Sequence, residues 1–313
     1  MSSSLTDQLV GMSTNTDDSR KVYNDWAQSY RKDVEAWGYD LPIQVATFLA
    51  QQIITDEEEA QQQPPKRRRQ LKILDAGCGD GLSGQALREE ASGLFSVDNG
   101  CYLIGADVSL KMLEVARDRR QRQRRSGGSG GPNNNDNRNS NNDDDDEEEG
   151  GGGYIYDELI VLNLNEAPFP TTSTSTSSKE EEGGSFSQTT TTTTEKKTPS
   201  SSSSSSSIEI TTAFQEDANL RGSLDVISCV GTMTYVTPSI CLPEFIRWVR
   251  PGGYICYTNR TDKLETFAVE ETRLQQTGLW KLIKKVGPLP YLPNHPDYGT
   301  DVQVMIFLYQ KTT

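Results

Sequence analysis

Apolar positions along this chain follow two rhythms. Short runs at residues 71–75 (LKILD), 102–106 (YLIGA), 159–164 (LIVLNL), 224–230 (LDVISCV) and 254–258 (YICYT) do not alternate apolar with polar. Such runs predict strands buried on both faces, as in a parallel sheet. Between them the spacing is helical. Ser109 is placed to cap a helix carrying Leu110, Leu113 and Ala116 on one face, and residues 238–249 and 264–276 continue the alternation. Strand, helix, strand in repetition is the pattern of a sheet covered on both sides. The end differs: residues 278–287 (GLWKLIKKVG) and 301–311 (DVQVMIFLYQK) read as strands joined only by a Pro-rich loop. A connection that short predicts an antiparallel pair, because a parallel crossover needs about a dozen residues or more. Upstream, Tyr23, Trp26, Ala27 and Tyr30 fall at i, i+3, i+4 and i+7, and Pro42, Val45, Ala46, Leu49 and Ile53 repeat the spacing. Two amphipathic helices are therefore expected before the first strand. The expected fold is α/β, a doubly wound Rossmann-like sheet of seven strands, mostly parallel with a reversed C-terminal strand.

Composition changes this picture only by subtraction. The 313 residues carry a formal charge of −14 and are 33% hydrophobic, low for one globular unit. The deficit lies in two stretches, 120–153 and 170–207, runs of polar and small residues with almost nothing to bury. They predict disordered insertions. With a polar tail at 1–19 set aside, residues 20–313 read as one domain, roughly 220 residues of it folded. The five cysteines are odd in number and show no C-x-x-C pairing, and the first residues lack a basic start and an apolar stretch of signal-peptide length. We expect a cytoplasmic monomer that does not enter a membrane. The basic runs KRRR (66–69) and RDRRQRQRR (117–125) adjoin linker sequence in an acidic chain. We read them as solvated charge rather than a nucleic-acid surface.

The candidate chemistry lies in ILDAGCGDGLSG, residues 73–84, where two glycine signatures overlap. Gly77, Gly79 and Gly81 make one nucleotide-binding turn. Gly79, Gly81 and Gly84 make the end of a dinucleotide fingerprint. Asp75 favours the first, because a carboxylate two residues before the turn repels a pyrophosphate and suits a ligand carrying an ammonium group. The second would leave Asp75, Gly77 and Cys78 inside a strand, where acid and Gly are poor choices. At the end of the second strand Asp107, followed by Val108, can accept both ribose hydroxyls of a nucleoside, or can simply be a turn residue. Asn163 and Leu164 would face an adenine, although Asn is also a common strand terminator. Cys229 and Val230 reach the sheet edge beside the ligand's reactive end. Arg260 is a cation near the substrate mouth, able to clamp a carboxylate or phosphate or to remain solvated. His295, the one histidine, reads as a surface loop residue. No metal-binding pattern is present and no catalytic base is named.

In this order, ILDAGCGDG, GADVS, LDVISCVGTMTYV and RPGGYICYTNR, followed by a reversed strand, resemble the successive motifs of class I S-adenosylmethionine-dependent methyltransferases. VYNDWAQSYRKDV, YDLP and YTNRTDKLETF resemble more narrowly the methyltransferase-like proteins named after the Williams-Beuren syndrome chromosomal region. The resemblance implies S-adenosylmethionine as cofactor, held by the glycine turn, Asp107 and the Asn163 segment, with Asp75 meeting its amino-acid end directly or through water. Asn163 stands where that family often has Asp. We expect Tyr23 and Tyr30, on the first helix, to close over the cofactor. The acceptor is expected to be a small molecule rather than protein or nucleic acid. A nicotinamide-dependent oxidoreductase and a cofactor-binding module without transferase activity are the other two readings.

Overall fold

The apolar runs pair into one eight-stranded sheet. Its description comes from a computed structural model, which describes residues 16–60, 70–119, 153–166, 208–212 and 220–313. The elements so described belong to the unit made by residues 1–167 and 208–313. In chain order they are α1 (Thr16–Trp26), α2 (Tyr30–Ala36), α3 (Leu41–Ala60), β1 (Lys72–Ala76), α4 (Leu82–Glu89), β2 (Tyr102–Asp107), α5 (Leu110–Asp118), β3 (Glu158–Val161), β4 (Ile210–Thr212), β5 (Leu224–Cys229), α6 (Pro238–Trp248), β6 (Val249–Arg260), α7 (Leu264–Gln276), β7 (Trp280–Pro290) and β8 (Gln303–Lys311).

Spatial order is β4-β3-β2-β1-β5-β6-β8-β7, parallel from β4 to β6, with β8 antiparallel to β6 and β7 antiparallel to β8. The chain winds outward from β1 to β4 and then returns to the other side of β1 for β5. That reversal opens a crevice at the carboxyl ends of β1 and β5, the usual place for a ligand in such sheets.

Alternation along the buried strands divides the core in two. Ile73, Leu103, Leu159, Val226, Tyr254 and Cys256 face α3, α4 and α5, where Val45, Leu49, Leu87, Leu113 and Ala116 pack on them. Leu74, Ile104, Ile160, Ile227, Cys229 and Tyr257 face the opposite side, closed by Leu242, Phe245 and Trp248 of α6 and Phe267 and Leu274 of α7. All five cysteines are free and buried. No helix among the described residues is long and apolar enough to cross a membrane.

Several expectations need correction. The sheet has eight strands and not seven: Ile210–Thr212 adds a short parallel edge to β3. Its three residues abut a polar run and were too few to register as an apolar segment. The first amphipathic helix is two helices, because the backbone turns at residues 27–29 and the series Tyr23, Trp26, Ala27, Tyr30 spans the break. The helix also begins at Thr16 rather than beyond residue 19, with Ser19 buried. On α5 the buried face is Met112, Leu113 and Ala116, while Leu110 is exposed. Ser109 does cap that helix, its hydroxyl accepting from the Met112 N–H at 3.2 Å. The stretches 120–153 and 170–207, Gly153 apart, lie outside the described residues.

Candidate functional site

The turn after β1 is held from below and above. The N–H groups of Gly77 and Cys78 both donate to the Ala106 carbonyl, at 2.7 and 2.9 Å. Gly77 (φ 74°) has the Thr232 side chain where a Cβ would stand. Gly79 (φ 54°) differs, since a Cβ there would meet nothing within 4 Å. At that point the backbone alone borders open space, as close approach to a ligand requires. A Cβ at Gly84 would overlap the Tyr156 ring, so this glycine makes room for a core tyrosine.

The open space is a cavity of about 890 Å3, mouth included, at the β1/β5 crevice. Gly77, Cys78, Gly79, Asp107, Val108, Asn163, Leu164, Val230, Tyr23 and Tyr30 all line it, so ten of the expected site residues converge. Asp107 sits at the tip of β2, accepting from Gly79 N–H at 2.9 Å and Ser109 N–H at 2.8 Å, one bond on each carboxylate oxygen. Burial pushes its pKa up, and those backbone N–H groups pull it back. Each oxygen keeps a further lone pair for a hydroxyl.

Four expected residues do not line the cavity: Gly81, Cys229, Asp75 and Arg260. Gly81 starts α4 behind the turn. Cys229 is fully buried on the α6 face of β5, because Val230 takes the alternate direction. Asp75 is enclosed on the α3 face, accepting from the Ser83 hydroxyl at 2.6 Å and the Tyr156 hydroxyl at 2.7 Å, both on Oδ2. Burial raises its pKa to about 6, against the pull of those hydrogen bonds, so it is largely ionised at neutral pH. Its Oδ1 has no hydrogen-bond partner among the described residues, nor has the hydroxyl of Ser228, its neighbour in register on β5. Two orphaned polar atoms side by side behind a glycine turn are a place for a donor from a ligand or a water.

Asn163 lies in the turn past β3, which ends at Val161, so the expected strand to 164 was too long. Its Oδ1 already accepts from Thr16 Oγ1 at 3.2 Å and Asn165 N–H at 3.0 Å. An adenine amine could use that oxygen only by replacing one of them. His295 is buried, stacked on Tyr298 and edge-on to Trp37, and its Nδ1 accepts from the N–H groups of Asp297 and Tyr298. The surface-loop reading of His295 was therefore wrong: the Pro-rich loop folds inward around it. Arg260 ends β6 and pairs with Asp262.

The cavity also draws on residues that sequence reasoning did not single out: Thr16, Asp80, Tyr39, Thr232, Tyr235 and Tyr291. Asp80 follows Gly79 directly, and the Arg119 and Arg31 guanidiniums compensate its charge. Three tyrosines from separate segments complete an aromatic wall with Tyr23 and Tyr30; Tyr23 meets Tyr235 edge-on at 6.1 Å, and Tyr39 meets Tyr291 at 5.6 Å.

No protein-family model and no curated protein sequence matches this chain. Solved structures similar to it include an S-adenosylmethionine-dependent methyltransferase from Thermotoga maritima, 12% identical with a TM-score of 0.44 over 94% of this chain and 99% of that one. A TehB-like S-adenosylmethionine-dependent methyltransferase from Corynebacterium glutamicum is 12% identical with a TM-score of 0.41, over 93% and 98%. The [4+2]-cyclase SpnF is 11% identical with a TM-score of 0.41, over 78% and 76%. What this chain does is read from its own residues.

Proposed function

We propose that the chain binds S-adenosylmethionine in the β1/β5 cavity and transfers its methyl group to a small molecule. The observation that carries this reading is the pairing of an open glycine turn, Gly77–Gly79, with a carboxylate, Asp107, at the tip of the adjacent strand, both on one cavity. Asp107 suits the two hydroxyls of a ribose. The orphaned Oδ1 of Asp75, ionised at neutral pH behind the turn, suits an ammonium group. The aromatic wall of Tyr23 and Tyr30 suits a sulfonium, a cation–π contact worth roughly 0.5 to 2 kcal/mol. Leu162, Leu164 and Met112 offer apolar contact to a base. Against a dinucleotide stands Gly81, the glycine that would approach the pyrophosphate in that register, which packs against Tyr156 and Ala116 and does not line the cavity. The narrower likeness to Williams-Beuren region proteins rests on the motifs quoted above.

When bound, the cofactor supplies a methyl group already activated on sulfur. The residues of the chain then need only orient two reactants and exclude water. Burial holds the hydroxyls of Tyr23, Tyr30, Tyr39 and Tyr291 protonated, so they act as hydrogen-bond donors and not as bases.

Calorimetry with S-adenosylmethionine, S-adenosylhomocysteine and NADH tests the assignment. The first two should bind and the third should not. Replacing Asp107 by Ala removes two charge-assisted hydrogen bonds to the ribose, each worth about 1.5 to 3 kcal/mol, and should weaken both ligands at least tenfold. Unchanged affinity in a folded Asp107→Ala variant would sink this placement. Labelled methyl transfer into a fractionated lysate, scored for small molecules, protein and nucleic acid separately, tests the transfer itself.

A further inference from the structure

The five tyrosines that wall the β1/β5 cavity, Tyr23, Tyr30, Tyr39, Tyr235 and Tyr291, also wall a second, smaller hollow of about 370 Å3, its open mouth included. Beyond them it is closed by Trp26, Val34, Leu292 and Tyr298, and one charged residue lines it, Arg260. Among the described residues no other cation lines either chamber, whereas the carboxylates Asp80 and Asp107 line only the first. The two rooms therefore differ in sign: acidic at the glycine turn, basic at the end of β6. Arg260 lies two strands from β1, so the two ends are about 10 Å apart at ordinary strand spacing.

Arg260 is built in and not adrift. Its side chain is only 12% exposed, and its guanidinium lies 5.9 Å from the Tyr298 ring centre. Asp262 accepts from Nε at 3.0 Å and Nη2 at 2.8 Å, which fixes the plane of the guanidinium. Nη1 makes no hydrogen bond among the described residues. Asp262 is itself 51% exposed, so solvent screens much of its charge. What remains is a guanidinium of fixed plane, its Nη1 uncommitted, among the tyrosines that line the chamber.

We propose that this smaller chamber is the acceptor subsite, and that it takes a small molecule with an apolar or aromatic body and one carboxylate held by Nη1 of Arg260. Calling the ligand an acceptor rests on the methyltransferase reading; the binding of the acid does not. The aromatic walls take the body, and the guanidinium edge takes the carboxylate. An amine would meet Arg260 with the wrong sign, and a neutral alcohol would leave Nη1 without a charged partner. An acid entering the pair of chambers is also turned away from the Asp107 end, which fixes its direction.

The test uses the full chain and three probe acids, phenylacetate, indole-3-acetate and octanoate, each beside its alcohol and amine counterpart. Binding is followed by calorimetry with and without S-adenosylhomocysteine. At least one acid should bind tenfold or more tightly than both counterparts. Arg260→Gln should erase that preference while S-adenosylhomocysteine affinity stays within twofold. The proposal is overturned if no acid exceeds its alcohol, or if the preference survives in Arg260→Gln. An acid preference without any S-adenosylhomocysteine binding would keep the subsite and strike the methyltransferase reading instead.

Discussion

At the tip of β1 the carboxyl of Asp75 has no access to solvent and sits between the Ser83 and Tyr156 hydroxyls, which donate to a single one of its oxygens. Its pKa of about 6, against 3.8 in an open chain, makes stability depend on pH in a definite direction. Below pH 4 the group is protonated in both states. Between pH 4 and 6 the unfolded chain releases the proton while the folded chain keeps it, so stability falls as pH rises. Above 6 the loss is complete, at roughly 3 kcal/mol. In Asp75→Asn this contribution disappears. Urea denaturation of both proteins at pH 4 and 7.5 should therefore show the variant gaining on wild type by about that amount at the higher pH, and a pH-independent difference would refute the assignment. A ligand ammonium beside Oδ1 would offset the cost, so the gap should narrow on saturation with S-adenosylhomocysteine. Asp75 was singled out in the sequence by its distance to the glycines, yet it does not line the cavity. Its position behind the turn was not legible, because side chains alternate along a strand and only the packed face shows which parity points toward the ligand. The same alternation sends Val230 into the cavity and Cys229 into the core.

Among elements, α1 is short and held by few hydrogen bonds to the rest of the described chain. Its 11 residues are too few to be a stable helix alone. It is tied down by Asn24, whose oxygen accepts from the Ser109 hydroxyl at 2.7 Å, and by Thr16, which meets Asn163 and Asn165 at 3.2 and 3.1 Å. The Trp26 indole donates to Asp33 at 2.6 Å and so binds α1 to α2 rather than to the sheet. Thr16, Ser19 and Tyr23 form one wall of the β1/β5 cavity, so a ligand there would add contacts that α1 otherwise lacks. We expect α1 and α2 to act as a lid. Hydrogen exchange over residues 20–34 should slow by at least tenfold when S-adenosylhomocysteine is added; equal protection with and without it would make α1 a fixed part of the core. The strands were legible where runs were long and buried, and so was the antiparallel pair β7 and β8. The break between α1 and α2 was not. Residues 27–29 contain neither Gly nor Pro, and α2 starts at Ser29 without a side-chain cap, so the helical spacing passes through a turn that tertiary packing imposes. The tyrosine wall was hidden for a related reason: Tyr39, Tyr235 and Tyr291 come from three loops that meet only in the folded chain.

For the molecule as a whole, the order of the strands decides what the two low-complexity stretches can do to it. The first falls between α5 and β3 and the second between β3 and β4, so both lie within parallel connections on the β4 side of the sheet. The pairs that frame the cavity, β1 with β2 and β1 with β5, form from sequence outside both stretches. Loop length itself costs little, about 0.6 kcal/mol for each doubling, so shortening a loop should change stability slightly and in the favourable direction. One geometric limit applies. Because β3 and β4 are parallel neighbours, the chain leaving Val161 must travel back along the strand before Ile210 can pair, and such a crossover needs about a dozen residues. Deleting 170–207 therefore requires a join of about six Gly and Ser residues to keep β4 in register, whereas deleting 120–153 requires only a short one. The doubly deleted chain with these joins should remain soluble, keep its melting temperature within a few degrees, and bind S-adenosylhomocysteine within threefold of the full chain. A direct fusion of residue 169 to 208 should lose β4, which shows as faster hydrogen exchange confined to 158–161. Insoluble protein from the design with adequate joins would mean that one of the stretches supplies part of the core.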